Sequence, residues 1–257
     1  MQKDEHPICG LPAIQALFEK DPGSIKRLFF DRETSRRVAK ITKELAKTRR
    51  IYRLITPEEL VKVSGTTHHG GIVAIIQARG IPVVTASQVE NWARASTPLL
   101  LLDRVGNVHN LGAIARSAAF FGLEHIVFPD HPEQAVPTEA AHRVAEGGMA
   151  HIQFWQVQHL PSLCRDLQAA YHVVGAAVES RAKPIQAWKA AAVVGKSGAK
   201  PVALVLGNEE HGLSAEVRAG CSDLVNIPGL GNRVESLNVS VAAAILIWEL
   251  WGKVPRR

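Results

Sequence analysis

Leu204-Val205-Leu206-Gly207-Asn208-Glu209-Glu210-His211-Gly212-Leu213-Ser214 and, further on, Val234-Glu235-Ser236-Leu237-Asn238-Val239-Ser240-Val241-Ala242 decide how this chain folds. Each reads as a buried strand or loop opening into a helix, with small or polar residues at the turn. In an α/β sheet that junction offers backbone groups to a ligand, and Gly207 at a strand end lets a ligand approach the backbone closely. A third run of this kind lies upstream, from Leu102-Asp103-Arg104 through Asn110-Leu111-Gly112 to Arg116-Ser117. There a buried strand ends at Asp103, a polar turn follows, and a helix is expected to start near Asn110 with Arg116 under two turns beyond. Taken singly, each run also has a plain structural meaning: Asn110 or Ser214 as a helix cap, Gly112 as a packing residue, Arg116 as a surface charge.

Outward from these runs the chain alternates strands and helices. Leu99-Leu100-Leu101-Leu102 is a continuous apolar run of the buried parallel-strand type. Strands are expected at 125–128, 152–156, 171–176, 202–206 and 224–227, and a long, apolar and therefore buried helix from about Asn238 to Leu250. A separate alternation fills Ile8 to Gln77, enough for a small α/β sandwich. The stretch between them, with two prolines and no firm periodicity, reads as a linker. The expected organisation is therefore a domain over 1–78, a linker over 79–97 and a second domain over 98–257.

Charge separates the two halves. Residues 1–97 hold 16 Lys and Arg against 10 Asp and Glu, whereas 98–257 hold 14 of each, so the net charge of +6 arises in the first part. On a helix beginning near Thr34, the basic residues Arg36, Lys40, Lys43 and Lys47 share one face and Val38, Ile41 and Leu45 another. An apolar stripe backed by a cationic one suits a domain that packs inward and presents charge to RNA or DNA; a solvated helix face is the ordinary alternative. Three cysteines, Cys9, Cys164 and Cys221, form no CxxC pair, which points to a reducing cytoplasmic setting and to no metal. The polar N-terminus does not read as a signal peptide, and the most apolar run, Val239 to Trp248, is too short to span a bilayer.

Three look-alike motifs fail on their spacing. Gly195-Lys196-Ser197 lacks the P-loop's first glycine, since position 190 is Ala190. Gly229-Leu230-Gly231 lacks the third glycine of a dinucleotide fingerprint, and His69-Gly70-Gly71 has no GxSxG nucleophile to serve.

The three ordered runs closely resemble the motifs of the SpoU/TrmH-type RNA ribose 2′-O-methyltransferases of the SPOUT class. The matching residues are Asn110-x-Gly112 with Arg116-Ser117, then Leu206-Gly207-Asn208-Glu209 with Gly212, then Ile227-Pro228 leading to Glu235-Ser236-Leu237-Asn238-Val239-Ser240-Val241-Ala242. The first domain is similar to the family's substrate-binding domain, with Ile8-Cys9-Gly10 before the first helix and Thr67-His68-His69-Gly70-Gly71-Ile72 before the last strand.

The resemblance implies an α/β fold whose C-terminal SPOUT domain ties a trefoil knot beside a parallel sheet, with a small N-terminal α/β substrate-binding domain. It implies S-adenosylmethionine as cofactor, held mainly through backbone at Gly207, Ile227 and Leu237. It implies a homodimer, and transfer of a methyl group to a ribose 2′-hydroxyl of structured RNA, rRNA first and tRNA second. The family assigns Arg116 as the base. A free guanidinium has a pKa above ~12, so clamping phosphate and stabilising a developing alkoxide is the physically easier description. Asn110, Glu209, Ser236 and Asn238 then position ribose, arginine and cofactor by hydrogen bonding. Relatives commonly carry Asp-Pro where this chain has Asn107-Val108, which is expected to loosen that turn, and Gly229 to Arg233 reads as an insertion. The competing reading is a catalytically silent RNA-binding module, which has no need of all five polar residues.

Overall fold

A five-residue run without a polar side chain, Ile72-Val73-Ala74-Ile75-Ile76, is satisfied only in the middle of a sheet covered on both faces. In the computed structural model, which describes residues 5–77, 80–191, 199–229 and 234–252, that is where it lies. The chain forms two units, Met1–Gly80 with Pro137–His151, and Ile81–Val136 with Ile152–Arg257. Gly195-Lys196-Ser197 and most of the inserted stretch, Leu230–Arg233, lie outside the described residues.

The first unit begins with β1 (Glu5–Cys9), α1 (Leu11–Lys20), β2 (Ile25–Phe30), α2 (Ala39–Lys47), β3 (Ile51–Leu54), α3 (Pro57–Ser64) and β4 (Ile72–Gln77). The sheet runs β1-β4-β2-β3; β4 is antiparallel to both neighbours, while β2 and β3 are parallel. Ile72 and Ala74 of β4 join a core with Ile14 and Phe18 of α1 and Ile41 and Leu45 of α2, whereas Val73 and Ile75 join Leu60 of α3 on the other face. The helix expected to begin at Thr34 does so as a 3-10 turn, Thr34–Val38, before α2 takes over. His69-Gly70-Gly71 shapes this unit: His69 Nδ1 accepts from Gly71 N–H, and the His69 carbonyl accepts from the N–H groups of Gly10 and Ile72. Gly71 has φ +77°, and a Cβ there would meet the side chains of Thr34 and Asp31 at 2.5 and 2.7 Å.

The second unit opens with α4 (Ala86–Arg94), inside the stretch read as a linker. Thr85 caps it by accepting from Gln88 N–H, and Trp92 is buried among Leu99, Leu101 and Leu160. Removing roughly 200 Å² of indole from water, at about 25 cal/mol per Å², stabilises this anchor by about 5 kcal/mol. Most of the expected linker is therefore folded. Its apolar content is concentrated in one large side chain, which a search for periodicity overlooks.

The remaining elements are β5 (Leu99–Asp103), α5 (Val108–Phe120), β6 (His125–Pro129), α6 (Glu139–Ala145), β7 (Gln153–Val157), α7 (Leu160–Leu167), β8 (His172–Ala176), β9 (Lys183–Pro184), α8 (Ile185–Ala191), β10 (Val202–Gly207), α9 (Ala215–Ala219), β11 (Asp223–Asn226) and α10 (Val239–Ile247). Among these, α6 and the turn Gly148–His151 pack in the first unit, against β1 and α1. The other strands form one all-parallel seven-stranded sheet, β7-β6-β5-β10-β8-β11-β9. Successive strands step outward from β5 through β6 to β7, and the later ones lie on its other side. The order thus reverses between β5 and β10, and their C-terminal ends, Asp103 and Gly207, are paired residues.

Helix α10 departs from expectation. Ala243, Leu246 and Ile247 are buried, but Val241 and Trp248 are 47% and 44% exposed. Its composition reports low affinity for water on every side, while the folded chain covers only part of it. Among the described residues no helix is long and apolar enough to cross a membrane.

Candidate functional site

Crevices at the C-terminal ends of parallel strands, where strand order reverses, are where open α/β sheets receive ligands. Here that place lies beyond Asp103 and Gly207. Asp103 is buried, and its carboxylate accepts from Ser214 N–H (2.6 Å) and from Arg104 Nε (3.2 Å). Arg104 then turns the chain through a left-handed conformation, φ +59°, which costs a non-glycine residue of order 1 kcal/mol. Its carbonyl accepts from Asn208 Nδ2 at 2.8 Å, and its guanidinium also lies 3.6 Å from the Glu133 carboxylate. Asn208 folds the facing loop: its Oδ1 accepts from the N–H groups of Glu210 and His211, and its backbone pairs with Gly212. The loop closes so tightly that a Cβ on Gly207 would lie 2.2 Å from the Gly212 carbonyl carbon.

Glu209 joins this loop to the preceding one. One carboxylate oxygen accepts from Gly106 N–H (3.0 Å), the other from Asn107 N–H (3.1 Å) and Asn110 Nδ2 (2.8 Å). Partial burial opposes its charge, but the bonds from the Asn110 amide and the Gly106 and Asn107 N–H groups outweigh it and hold its pKa below the usual carboxylate value. Asn110 Oδ1 in turn accepts from Asn238 Nδ2 (3.1 Å), and Asn238 Oδ1 accepts from Ser240 N–H and Oγ at the head of α10. One continuous chain of side-chain bonds, Glu209–Asn110–Asn238, therefore spans all three motif loops.

The expected cap of α5 is displaced. Asn107, not Asn110, is the N-cap, accepting from His109 and Asn110 N–H. Asn110 thus falls in the first helical turn with its amide free to reach Glu209 and Asn238. The turn expected to be loosened without Asp-Pro is instead fixed by the Asn107 side chain and by Glu209. Arg116 is exposed six residues beyond Asn110. Ser236 and Leu237 are exposed ahead of α10, and Ile227 follows the end of β11. These last three lie outside the Glu209–Asn110–Asn238 chain.

Asp103 and Asn208 shape the site without having been singled out from sequence. The signal for Asp103 was an acid closing the run Leu99–Leu102, where burial demands partners. Burial, and after it the Asp103 charge, push the Cys221 thiol up to about 12, so it is no nucleophile at neutral pH. Among the described residues no group of three or more His, Cys, Asp or Glu side chains is placed to hold a metal.

Residues 98–248 match the SpoU rRNA Methylase family, and residues 7–81 match RNA 2′-O ribose methyltransferase substrate binding. The chain belongs to the SpoU rRNA methylase family. The 23S rRNA (guanosine-2′-O-)-methyltransferase RlmB of Acinetobacter baylyi is 33% identical to this SpoU protein over 97% of both chains. The uncharacterized tRNA/rRNA methyltransferase YfiF of Escherichia coli O157:H7 is 33% identical over 96% of this chain and 68% of its own. An AdoMet-bound rRNA methyltransferase from Sinorhizobium meliloti superposes with a TM-score of 0.74 at 22% identity, covering 99% of this chain and 90% of its own. The SpoU fold, with a substrate-binding unit and a SPOUT unit with its trefoil knot, is thus the fold of this chain.

Proposed function

We propose that this SpoU protein transfers a methyl group from S-adenosylmethionine to a ribose 2′-hydroxyl of rRNA. The observation that carries the reading is the Glu209–Asn110–Asn238 chain joining three motif loops at the strand-order reversal. The RlmB relatives, aligned over nearly the whole chain, support rRNA as substrate over tRNA. Backbone groups at Gly207, Ile227 and Leu237 hold the cofactor. Gly207 ends a strand whose following loop is already closed by Asn208 and Gly212, leaving backbone rather than side chain toward the open edge. When bound, S-adenosylmethionine supplies the electrophilic sulfonium methyl.

The chain's own residues prepare the acceptor. A ribose hydroxyl attacks poorly until its charge is stabilised and its oxygen aligned, so orientation supplies much of the rate. Arg116 faces the developing alkoxide or the adjacent phosphate as a cation. Asn110 and Asn238 present amide groups whose directions are fixed by Glu209 and by the α10 cap, and Ser236 adds a hydroxyl beside them. Free cysteines throughout the described residues suit a reducing cytoplasm.

The enzyme works as a homodimer through α5 and α10. Phe120 is 81% exposed, its ring lies 5.0 Å from that of Phe121, and Phe121 lies 5.8 Å from Trp248, so apolar surface continues from one helix to the other. Trp248→Glu should convert dimer to monomer in sedimentation velocity; an unchanged mass would remove α10 from the interface.

Incubation with radiolabelled S-adenosylmethionine and total RNA, followed by nucleoside mass spectrometry, tests the activity. A 2′-O-methylated nucleoside is expected. Label on a base, or no label, refutes the reading.

A further inference from the structure

The first unit carries a groove of about 460 Å³ between α1 and α2. Lys40, Lys43 and Lys47 line it from α2, with Phe18 and Pro22 supplying its apolar part. Two carboxylates, Glu19 and Glu44, also border it, but Glu44 is engaged by Lys47 at 3.2 Å. Lys40 and Lys43 are exposed and form no ion pair among the described residues. Their ammonium groups therefore face an opening that a phosphate can enter.

Beside the groove lies an uncovered sheet edge. Among the described residues β3 pairs only with β2, and all four of its residues are exposed, among them Tyr52 at 41% and Leu54 at 58%. Tyr52 is in register with Leu28, which belongs to the core under α1 and α2, so Tyr52 and Leu54 point to the same side of the sheet as those helices. Arg50 fastens edge to groove. Its N–H donates to the Leu45 carbonyl at the end of α2, and its guanidinium donates to the carbonyls of Pro22 and Ile25. Between Lys26 and Arg53 there are eleven basic residues and three acids. That charge favours RNA over an added polypeptide strand as the occupant.

We propose that α2 and β3 form one composite RNA site: the lysine groove takes backbone phosphate, and Tyr52 stacks on an unpaired base. Stacking needs a base free of its helix, so the site selects a loop or bulge rather than continuous duplex. The proposal rests on the reading of this chain as an RNA-modifying enzyme and names the RNA structure that it engages. Because the groove acts on affinity alone, its loss raises KM for RNA and leaves kcat at saturation unchanged.

Fluorescence anisotropy on the full chain separates the parts, using a labelled hairpin RNA with an unpaired loop and a fully paired duplex of equal length across a salt series. The wild type should prefer the hairpin. Lys40→Glu with Lys43→Glu should reduce the slope of log affinity against log salt by about two. Tyr52→Ala should weaken hairpin binding by roughly 5- to 100-fold with little change in the salt slope, while Tyr52→Phe retains the ring and the affinity. Glu19→Gln should tighten binding, which a damaged fold would not do. An unchanged salt slope overturns the groove, and equal affinity for duplex and hairpin overturns the stacking. Unchanged binding in both the lysine and tyrosine variants hands the surface to a protein partner. These readouts involve no methyl transfer, so absence of methylation refutes the proposed activity while leaving this result standing.

Discussion

The lysine face of α2 and the Glu209–Asn110–Asn238 chain are two polar regions built on opposite principles. On α2 the lysines project into solvent, and among the described residues only Lys47 of the three has an ion-pair partner, Glu44 at 3.2 Å. In the Glu209–Asn110–Asn238 chain the carboxylate and the linking amides are bonded at 2.8 to 3.1 Å. Exposed charge attracts a polyanion over nearly a Debye length and tolerates loose geometry, but salt weakens it. A bonded network exerts little long-range pull and fixes direction, which is what an in-line transfer requires. Damage to the first region should therefore appear in KM and salt dependence, and damage to the second in kcat.

The sharpest break in that comparison is Arg116→Ala. If Arg116 stabilises charge that develops only during transfer, kcat falls about a thousandfold while calorimetric affinity for S-adenosylmethionine stays within about twofold. Retained activity would remove Arg116 from the chemistry. A smaller effect is expected of Glu209→Gln, which keeps the shape but loses the charge that receives three N–H donors. Hydrogen bonds to a charged group are worth about 1.5–3 kcal/mol, so kcat should drop roughly 10- to 100-fold with KM for RNA unchanged. The sign with pH follows from its lowered pKa. The clamp is fully present above the unfolded-state value and is lost only as pH falls through the lower folded one, so it remains intact at neutral pH. A rise in KM with kcat preserved would mean that Glu209 serves binding instead.

The two regions were not equally legible in the sequence. The strands β5 and β10 were readable because continuous apolar runs between turn signals point to buried parallel strands, and Gly207 and Asn238 because a strand–turn–helix junction needs such residues. The cationic stripe of α2 was readable from spacing alone, since its lysines stay exposed and the helix period by itself puts them on one face. Partnership was harder. The helix was expected to start near Asn110, but Asn107, three residues earlier, accepts from the N–H groups of His109 and Asn110 and starts it there. Asp103 was invisible as a functional residue because its partner, Ser214 N–H, lies 111 residues away. β1, with Glu5, His6 and Pro7, lacks the apolar run by which its neighbours announce themselves. The exposed flank of α10 was read as buried because hydrophobicity specifies that a face seeks cover, not what covers it. Nor could spacing reveal that α6, carried between two strands of the second unit's sheet, packs in the first unit.

That last placement yields the smallest predicted effect, and it tests where the border between the two regions runs. Burial in the first unit, and next the neighbouring His6, lower the His142 pKa from 6.5 to about 4. A histidine whose pKa is depressed on folding binds fewer protons folded than unfolded between those values, so stability rises with pH across that window. Acidification from about pH 6.5 to 4 should therefore destabilise the first unit, by up to about 3 kcal/mol, less in proportion to the solvent the half-buried ring retains. Urea unfolding at a series of pH values should show that slope in the wild type and a flatter one in His142→Gln. The Glu209 clamp begins to contribute a slope only at the acid end of that window, below the ordinary carboxylate value, so the upper part of the slope is free of it. If the variant keeps the full slope, His142 is not held buried against the first unit in solution.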